Sequence, residues 1–462
     1  MDQITQVALL TLRSAFRLKL APALIAILAA LSVIMPYIIR HNGTAQMFTQ
    51  VTMSYSLSAI SAVLGLATLW LACGSLARDI TEKQIQILAT KPIPRWKIWL
   101  GKWMGIILLD AILLFASGTM VVGMIMFRSS DLNKDQRKVL FEQVLVARSG
   151  VMEKTEYTDA EINAVVRYLE QNPRPGQSEN EARLREEALS ELKRRDQLIP
   201  NNRMRVWEID LSHAASKLKD APLFLRVHFY AAKVKRADGG TTPALRGFWE
   251  VGESPNQWRM ENTITPDTYS YITVPAGHIG PDGILKVAFR NYNPNTLIFP
   301  LNDGLEVLYK EASFIPSFFR ALGVLLCWMA ALAALGLFSA SFLSFPVASL
   351  LVFCMLLMLL STSLMGEVVK EGTISSLDHE TGQPTFTYLD WIMVPFFKTI
   401  LNGLSLLKGF SPIEFLSSGR NVSWTILARA ILQIVVLAGG ILAFLGSLIF
   451  TRRELAAGQS QS

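Results

Sequence analysis

The sequence predicts an α-helical polytopic membrane protein with six transmembrane helices and an exported α+β insert, a helical hairpin followed by an antiparallel β-sandwich. Three observations carry this. Six apolar runs each approach the ~20 residues that cross ~30 Å of hydrocarbon as a helix. Basic residues gather on one side of those runs. Between the third and fourth runs the chain turns polar, and its periodicity changes from helical to alternating.

The approximate limits of the runs are Ala21–Ile39, Thr52–Leu76, Leu100–Phe127, Ile315–Leu337, Phe345–Leu364 and Trp424–Phe450. Backbone groups in lipid need partners within their own segment, so the runs read as helices. Composition agrees: of 462 residues, 51% are hydrophobic and 18% charged, and mean hydropathy is +0.33. Residues 1–127 form an N-terminal membrane half and 315–462 a C-terminal half, three spans each. The insert divides into a helical region, 128–202, and a sandwich, 203–314.

Before the first span, Ile4, Val7, Ala8, Leu12 and Ala15 lie toward one side of a helix, and Arg13 and Arg17 toward the other. This is either a helix lying in the interface or a basic flank that orients the span. No small-x-small site follows the first apolar run, so it does not read as a cleaved signal.

The stretch Ala77–Lys102 is the most informative. Arg78, Lys83, Lys91, Arg95, Lys97 and Lys102 face only Asp79 and Glu82, and short loops with that bias stay on the cytoplasmic side. Ile80, Gln84, Ile87 and Leu88 share a helical face, which Pro92 and Pro94 end. A short surface helix over 78–99 is expected, held between two spans and able to pass a push from a soluble partner into the bilayer. The N-terminus and the tail at Arg452 and Arg453 are also basic. One topology satisfies all three: a multi-pass protein of the inner (plasma) membrane, both termini cytoplasmic, residues 127–314 outside. That outer segment holds 26 basic and 26 acidic residues, and the remaining 18 and 11 carry the whole +7 excess. The high pI therefore reports orientation and implies no nucleic-acid partner.

Cys73, Cys327 and Cys354 all fall in apolar runs, so no disulfide framework is expected in the insert. The five histidines are scattered, without HExxH or CxxC spacing, and no metal site is predicted. Within the insert, Glu181/Arg185, Arg183/Glu187 and Glu191/Arg195 are opposite charges four apart, and Leu184, Ala188 and Leu192 form a stripe. Asn172-Pro-Arg-Pro-Gly176 divides this region into the two arms of a hairpin. Alternation then marks strands at 205–210, 223–230, 247–251, 269–274, 284–289 and 305–309, with turn signals at Asp238-Gly-Gly, Pro281-Asp-Gly283 and Asn302-Asp-Gly304. Six or seven short strands point to a jelly-roll-like sandwich. Trp207, Trp249, Trp258 and Tyr292 are either core or a platform for a sugar ring.

Glu82, Ile87-Leu88, Pro92, Arg95 and Gly101-Lys102 resemble the cytoplasmic loop of type-two ABC exporter permeases, roughly E-x-G-T-L-x-x-L-L-x-x-P-x-x-R followed by G-K. Phe342-Leu-Ser-Phe-Pro-Val-Ala348 and Ser411-Pro-Ile-Glu-Phe-Leu-Ser-Ser-Gly-Arg420 are similar to later segments of that family, and the order of six spans agrees. The nearest kind is the group used in nitrous-oxide-reductase maturation and gliding motility. Gln84-Ile85 stands where the family has Gly-Thr, which implies a more continuous coupling helix. The insert is not part of the family core.

The resemblance implies an ABC ATPase subunit as partner and a second permease chain, as homo- or heterodimer, among membrane lipids. Glu82, Ile87, Leu88, Pro92 and Arg95 would form the ATPase-coupling contact. The chain has no GxxxxGK[ST] run, since Gly101-Lys102 is followed by Trp103. It is therefore expected to be no enzyme, to bind no cofactor, and to rely on ATP used by the partner. The competing reading is a membrane-anchored extracytoplasmic binding or scaffold protein.

Two features remain. Asp110, the carboxylate inside the third span, is costly to insert at roughly 2.5–3.5 kcal/mol. It marks either a substrate path or dimer seam, or a hydrogen bond to a Ser or Thr of a neighbouring span. Past the fifth span, Ile392, Phe396, Ile400 and Leu404 recur every four residues, which predicts an amphipathic helix acting as an interfacial anchor or as a broken entry to the last span.

Overall fold

In the computed structural model the described residues are 3–17, 19–38, 45–81, 94–131, 137, 140, 145–172, 181–231, 245–371, 388–405, 415 and 419–452. The chain divides into two compact units, Met1–Ala147 with Ala312–Ser462, and Arg148–Glu311.

The first unit is helical: α1 Gln3–Arg17, α2 Leu20–Ile38, α3 Ala45–Thr81 and α4 Arg95–Arg128. Four described helices of this unit, α7 to α10, follow the insert's last strand: Phe314–Ala340, Phe345–Leu360, Thr362–Glu371 and Asp390–Ser405. The last is α11, Trp424–Arg452, whose middle, Ile431–Gly439, is a π-helical stretch. Five of these helices, α2, α3, α4, α7 and α11, are long and apolar enough to cross a membrane. The chain is thus a multi-pass membrane protein. The fifth predicted span, 345–364, is instead a 16-residue helix, α8, followed by α9. Sixteen residues rise only about 24 Å, short of the hydrocarbon thickness, although the Met365 amide still donates to Ser361 O across the junction.

Burial orders the bundle. In α7 61% of the most apolar window is buried, against 22% in α2 and α11, so α7 is central and those two are peripheral. Its small residues, among them Ala333, Ala334 and Ala340, lie against Ala72 and Leu76 of α3 and Trp99 and Ile106 of α4. Small side chains allow the close backbone approach that replaces hydrophobic driving force in lipid.

Charge does not end α3 and α4 where the sequence predicts. α3 runs on to Thr81, past the predicted end at Leu76, and α4 begins at Arg95, before Leu100. The reason is pairing: Lys102 Nζ lies 2.6 Å from Asp79 Oδ2 and donates to Ser75 O at 2.8 Å. Pro94 opens α4 as its N-cap residue, a place where a missing amide costs nothing. The segment 82–93, which carries Glu82, Ile87, Leu88 and Pro92, lies outside the described residues.

The N-terminal helix is seated on α4. Val7, Ala8, Thr11 and Ala15 are buried, and Lys97 Nζ donates to Gln3 Oε1 at 3.0 Å. Gly101 and Gly105, four apart on one face, form the seat. A Cβ on Gly101 would stand 2.6 Å from Val7 Cβ, and one on Gly105 2.7 Å from Ala8 O. Arg13 and Phe16, off that face, and Arg17 in the last turn are exposed.

The second unit begins with strand β1, Val146–Val151, in a region that reads as helical in the sequence. Two helices follow, α5 Asp159–Gln171 and α6 Glu181–Gln197, packed through Ile162, Leu169, Ala188 and Leu192. α5 opens with a capping box, the amide and hydroxyl of Thr158 both donating to the Glu161 carboxylate. Among the described ion pairs, Arg194 meets Glu191 three residues away and Arg185 meets Asp159 across the hairpin.

The strands are β2 Leu198–Ile199, β3 Met204–Asp210, β4 Leu223–Val227, β5 Tyr230–Ala231, β6 Leu245–Val251, β7 Trp258–Ile264, β8 Ser270–Val274, β9 Ile284–Arg290, β10 Leu297–Ile298 and β11 Leu305–Ser313. Two four-stranded sheets have the orders β1-β11-β4-β8 and β3-β9-β6-β7. These eight strands alternate between sheets as two interleaved Greek keys, the jelly-roll order. One core joins both sheets: Trp207, Trp249, Val287 and Phe289 from one, Leu225, Val227, Ile272 and Val307 from the other. β7 is an edge strand of that second order, paired to β6 with Leu245 opposite Ile264 and Val251 opposite Trp258.

Candidate functional site

Three polar constellations stand out, two in the membrane unit and one in the jelly roll. The first is the paired end of α3 and α4. The Asp79–Lys102 ion pair, with Lys102 only 7% exposed, ties the two helices together at the segment the sequence marks for coupling. Arg95, the described member of the predicted coupling set, points elsewhere within the same end of the bundle. Its guanidinium donates to Thr451 O at 2.9 Å and Phe450 O at 3.3 Å, the last carbonyls of α11. A cation there satisfies orphan carbonyls and opposes the helix dipole. The ends of α3, α4 and α11 are in this way fastened to one another.

The second constellation lies inside the bundle. Thr68 Oγ1 of α3 donates to Asp110 Oδ2 of α4 at 2.9 Å, beside Met329 Sδ of α7. Asp110 is 1% exposed, so its carboxyl faces three packed helices with one hydroxyl donor in reach. This is the Ser/Thr contact weighed from the sequence. The geometry supplies a polar tie between α3 and α4; it does not open Asp110 to a channel in the described residues.

The third constellation was not legible beforehand. On the face of β4 and β11 away from the shared core, Arg226 Nη1 bonds Glu306 Oε2 at 2.7 Å, and Arg226 Nη2 reaches Asp303 Oδ1 at 3.1 Å. Asp303 also meets His228 Nδ1 at 3.0 Å and accepts from the Tyr269 hydroxyl at 2.7 Å. The Arg226 guanidinium stacks on the Tyr269 ring at 4.1 Å. Two local features assemble the group. Register places Glu306 opposite Arg226, and the Asn302-Asp-Gly304 turn, closed by the Gly304 amide on Pro300 O, swings Asp303 beside both. Burial, together with donation to the Asp303 carboxylate, pushes the Tyr269 phenol up to about 12. Gly150 of β1 lies over the pair, where any Cβ would overlap the Glu306 carboxylate. The one sequence signal for this site was the Asp-Gly turn.

Of the four aromatics weighed as a sugar platform, Trp207 and Trp249 stack on one another in the core, ring centroids 6.4 Å apart, and are closed to any ligand. Tyr292 is 56% exposed beside Phe248 and Arg290. A cleft of about 900 Å³ where α6 meets β3 is lined by charges of both signs, including Glu153, Glu191, Arg195 and Arg203. Among the described residues no group of three or more His, Cys, Asp or Glu side chains is placed to hold a metal ion.

Compared with protein-family models, with characterised proteins and with solved structures, the chain matches none.

Proposed function

We propose that the chain is the membrane-spanning permease subunit of an ABC exporter, joined by a separate ATPase and by a second permease chain. The observation that carries this reading is the Asp79–Lys102 tie at the mouth of the α3–α4 connection. A loop transmits force only if its two ends move as one, and a 2.6 Å buried ion pair between the flanking helices supplies that. Arg95 on the end of α11 extends the same rigid end to the last span. The sequence of the connection, with Glu82, Ile87-Leu88 and Pro92 and its excess of basic residues, gives the ATPase a surface to push. In this reading α8 and α9 together make the fifth of six spans, both termini are cytoplasmic, and the jelly roll is exported.

The test is copurification with an ABC ATPase subunit, and its stimulation in reconstituted membranes. Glu82→Ala with Ile87→Ala and Leu88→Ala is expected to abolish both while Arg95, which holds α11, is kept. Wild-type association and stimulation in the triple variant would refute the coupling role and leave the jelly roll as the working part of an anchored binding protein.

A further inference from the structure

A cavity of about 140 Å³ opens where α1, α3 and α4 meet, bordered by Arg17, Arg78, Lys102, Asp79, Ser14 and Trp70. That volume is several waters' share of liquid, enough for one small tetrahedral group. Three cations and one carboxylate border it. Lys102 is consumed by Asp79 and Ser75 O, so the two arginines supply an unbalanced charge of two. Arg78 is pre-set: its guanidinium stands over Phe345 at 5.3 Å, with that ring against Trp70 at 5.1 Å, edge to face. Arg17 is exposed in the last turn of α1. A planar guanidinium pair suits the oxygens of a phosphate better than any neutral group.

The remaining wall is apolar. Trp70 is 49% exposed, and Leu20 and Leu71 continue from it. Charge at the rim beside an aromatic wall is the environment of a lipid head group, and basic pockets between spans take anionic ones. We infer that this cavity binds the phosphate of an anionic phospholipid, held by Arg17 and Arg78 with its glycerol and first methylenes on Trp70. The site needs only that the chain spans a membrane and is independent of the permease reading. It also gives the seating of α1 on Gly101 and Gly105 a purpose, because that seat brings Arg17 to Arg78.

The full-length chain in nanodiscs, released and weighed by native mass spectrometry, tests this with phosphatidylglycerol against phosphatidylcholine. The wild-type chain is expected to retain phosphatidylglycerol selectively. Arg17→Gln or Arg78→Gln should lower that preference about fivefold each, and together about thirtyfold, at the strength of one surface base per charge. Arg13→Gln, one turn away on α1 and outside the cavity, should leave it unchanged, and Arg17→Lys should keep most of it. Equal retention of the two lipids by the wild type, or an unchanged preference in the Arg17→Gln chain, overturns the inference. So does an equal loss of thermal stability in both lipids, which would make the arginines mere balances for helix C-termini. Protection by millimolar inorganic phosphate or glycerol phosphate equal to that by phosphatidylglycerol would assign the site to a soluble ligand and sink the lipid.

Discussion

Replacing Glu306 by Gln removes one partner from a pair in which Arg226 is 5% and Glu306 3% exposed. The Nη1–Oε2 bond of 2.7 Å disappears as a charge pair, and Arg226 keeps only Asp303 at 3.1 Å, a carboxylate one third exposed. With Asp303 alone left to balance Arg226, the loss lies toward the lower end of the ~3–5 kcal/mol that breaking a buried pair costs. Hydrogen exchange of the strand amides, read by mass spectrometry on the peptides that cover 223–227 and 305–309, converts this into roughly a hundredfold faster exchange. The double change Arg226→Met with Glu306→Leu removes both charges at similar volume and should return exchange to near wild type, because two desolvation penalties vanish with the attraction. Gly150→Ala provides an independent route to the same loss, since a Cβ there displaces the Glu306 carboxylate; in a Glu306→Ala background it should add little. Exchange in Glu306→Gln within twofold of wild type, or a double variant as fast as the single, would show that the pair does not hold these strands.

Further outcomes are expected elsewhere. Gly105→Val forces a side chain against Ala8 O and Thr11, an overpacking of about 1–3 kcal/mol; a bis-maleimide bridge between Gln3→Cys and Lys97→Cys, in a Cys354→Ser chain, should form in the parent and fail in the variant. Asp110→Asn keeps an acceptor for Thr68 and should change thermal stability by no more than about 1 kcal/mol; loss of the proposed transport in a variant that still assembles would move Asp110 from packing to the substrate path. Tyr269 has a raised folded pKa, so its contribution to stability is complete below pH ~10 and fades as pH climbs through about 12. The tyrosinate absorbance difference between the parent and Tyr269→Phe should accordingly titrate near 12, and a midpoint near 10 would show the phenol free of Asp303.

How far the sequence alone carries can be seen strand by strand. β3 was legible because Trp207 and Ile209 point inward while Glu208 and Asp210 point out. β7 was missed although half-buried Trp258 and Met260 and buried Ile264 alternate with exposed Arg259, Glu261 and Thr263, because Asn262 interrupts the apolar face of this edge strand. β1 hid behind Arg148 and Gly150, whose places are set by Phe224 and Glu306, far along the chain. The Arg226–Asp303–His228 group was hidden for the same reason: each residue alone reads as a wet position of a half-buried strand, and only register gathers them. In the membrane unit the apolar runs were plain, whereas their ends were misplaced wherever one charge met another across a helix pair, as Asp79 meets Lys102. Gly101 was legible as part of a loop motif but not as the seat of α1, since a glycine groove announces no partner.

β1 and β11, the first and last strands of the jelly roll, are neighbours in one sheet. Adjacent strands run about 4.8 Å apart, a gap that two or three residues can bridge. The entire 148–311 segment is therefore wired into the chain like a cassette, its two leads side by side. Such a module can be cut out and the ends rejoined, or a foreign domain with neighbouring termini grafted in its place, with little disturbance to the register of the helices it interrupts.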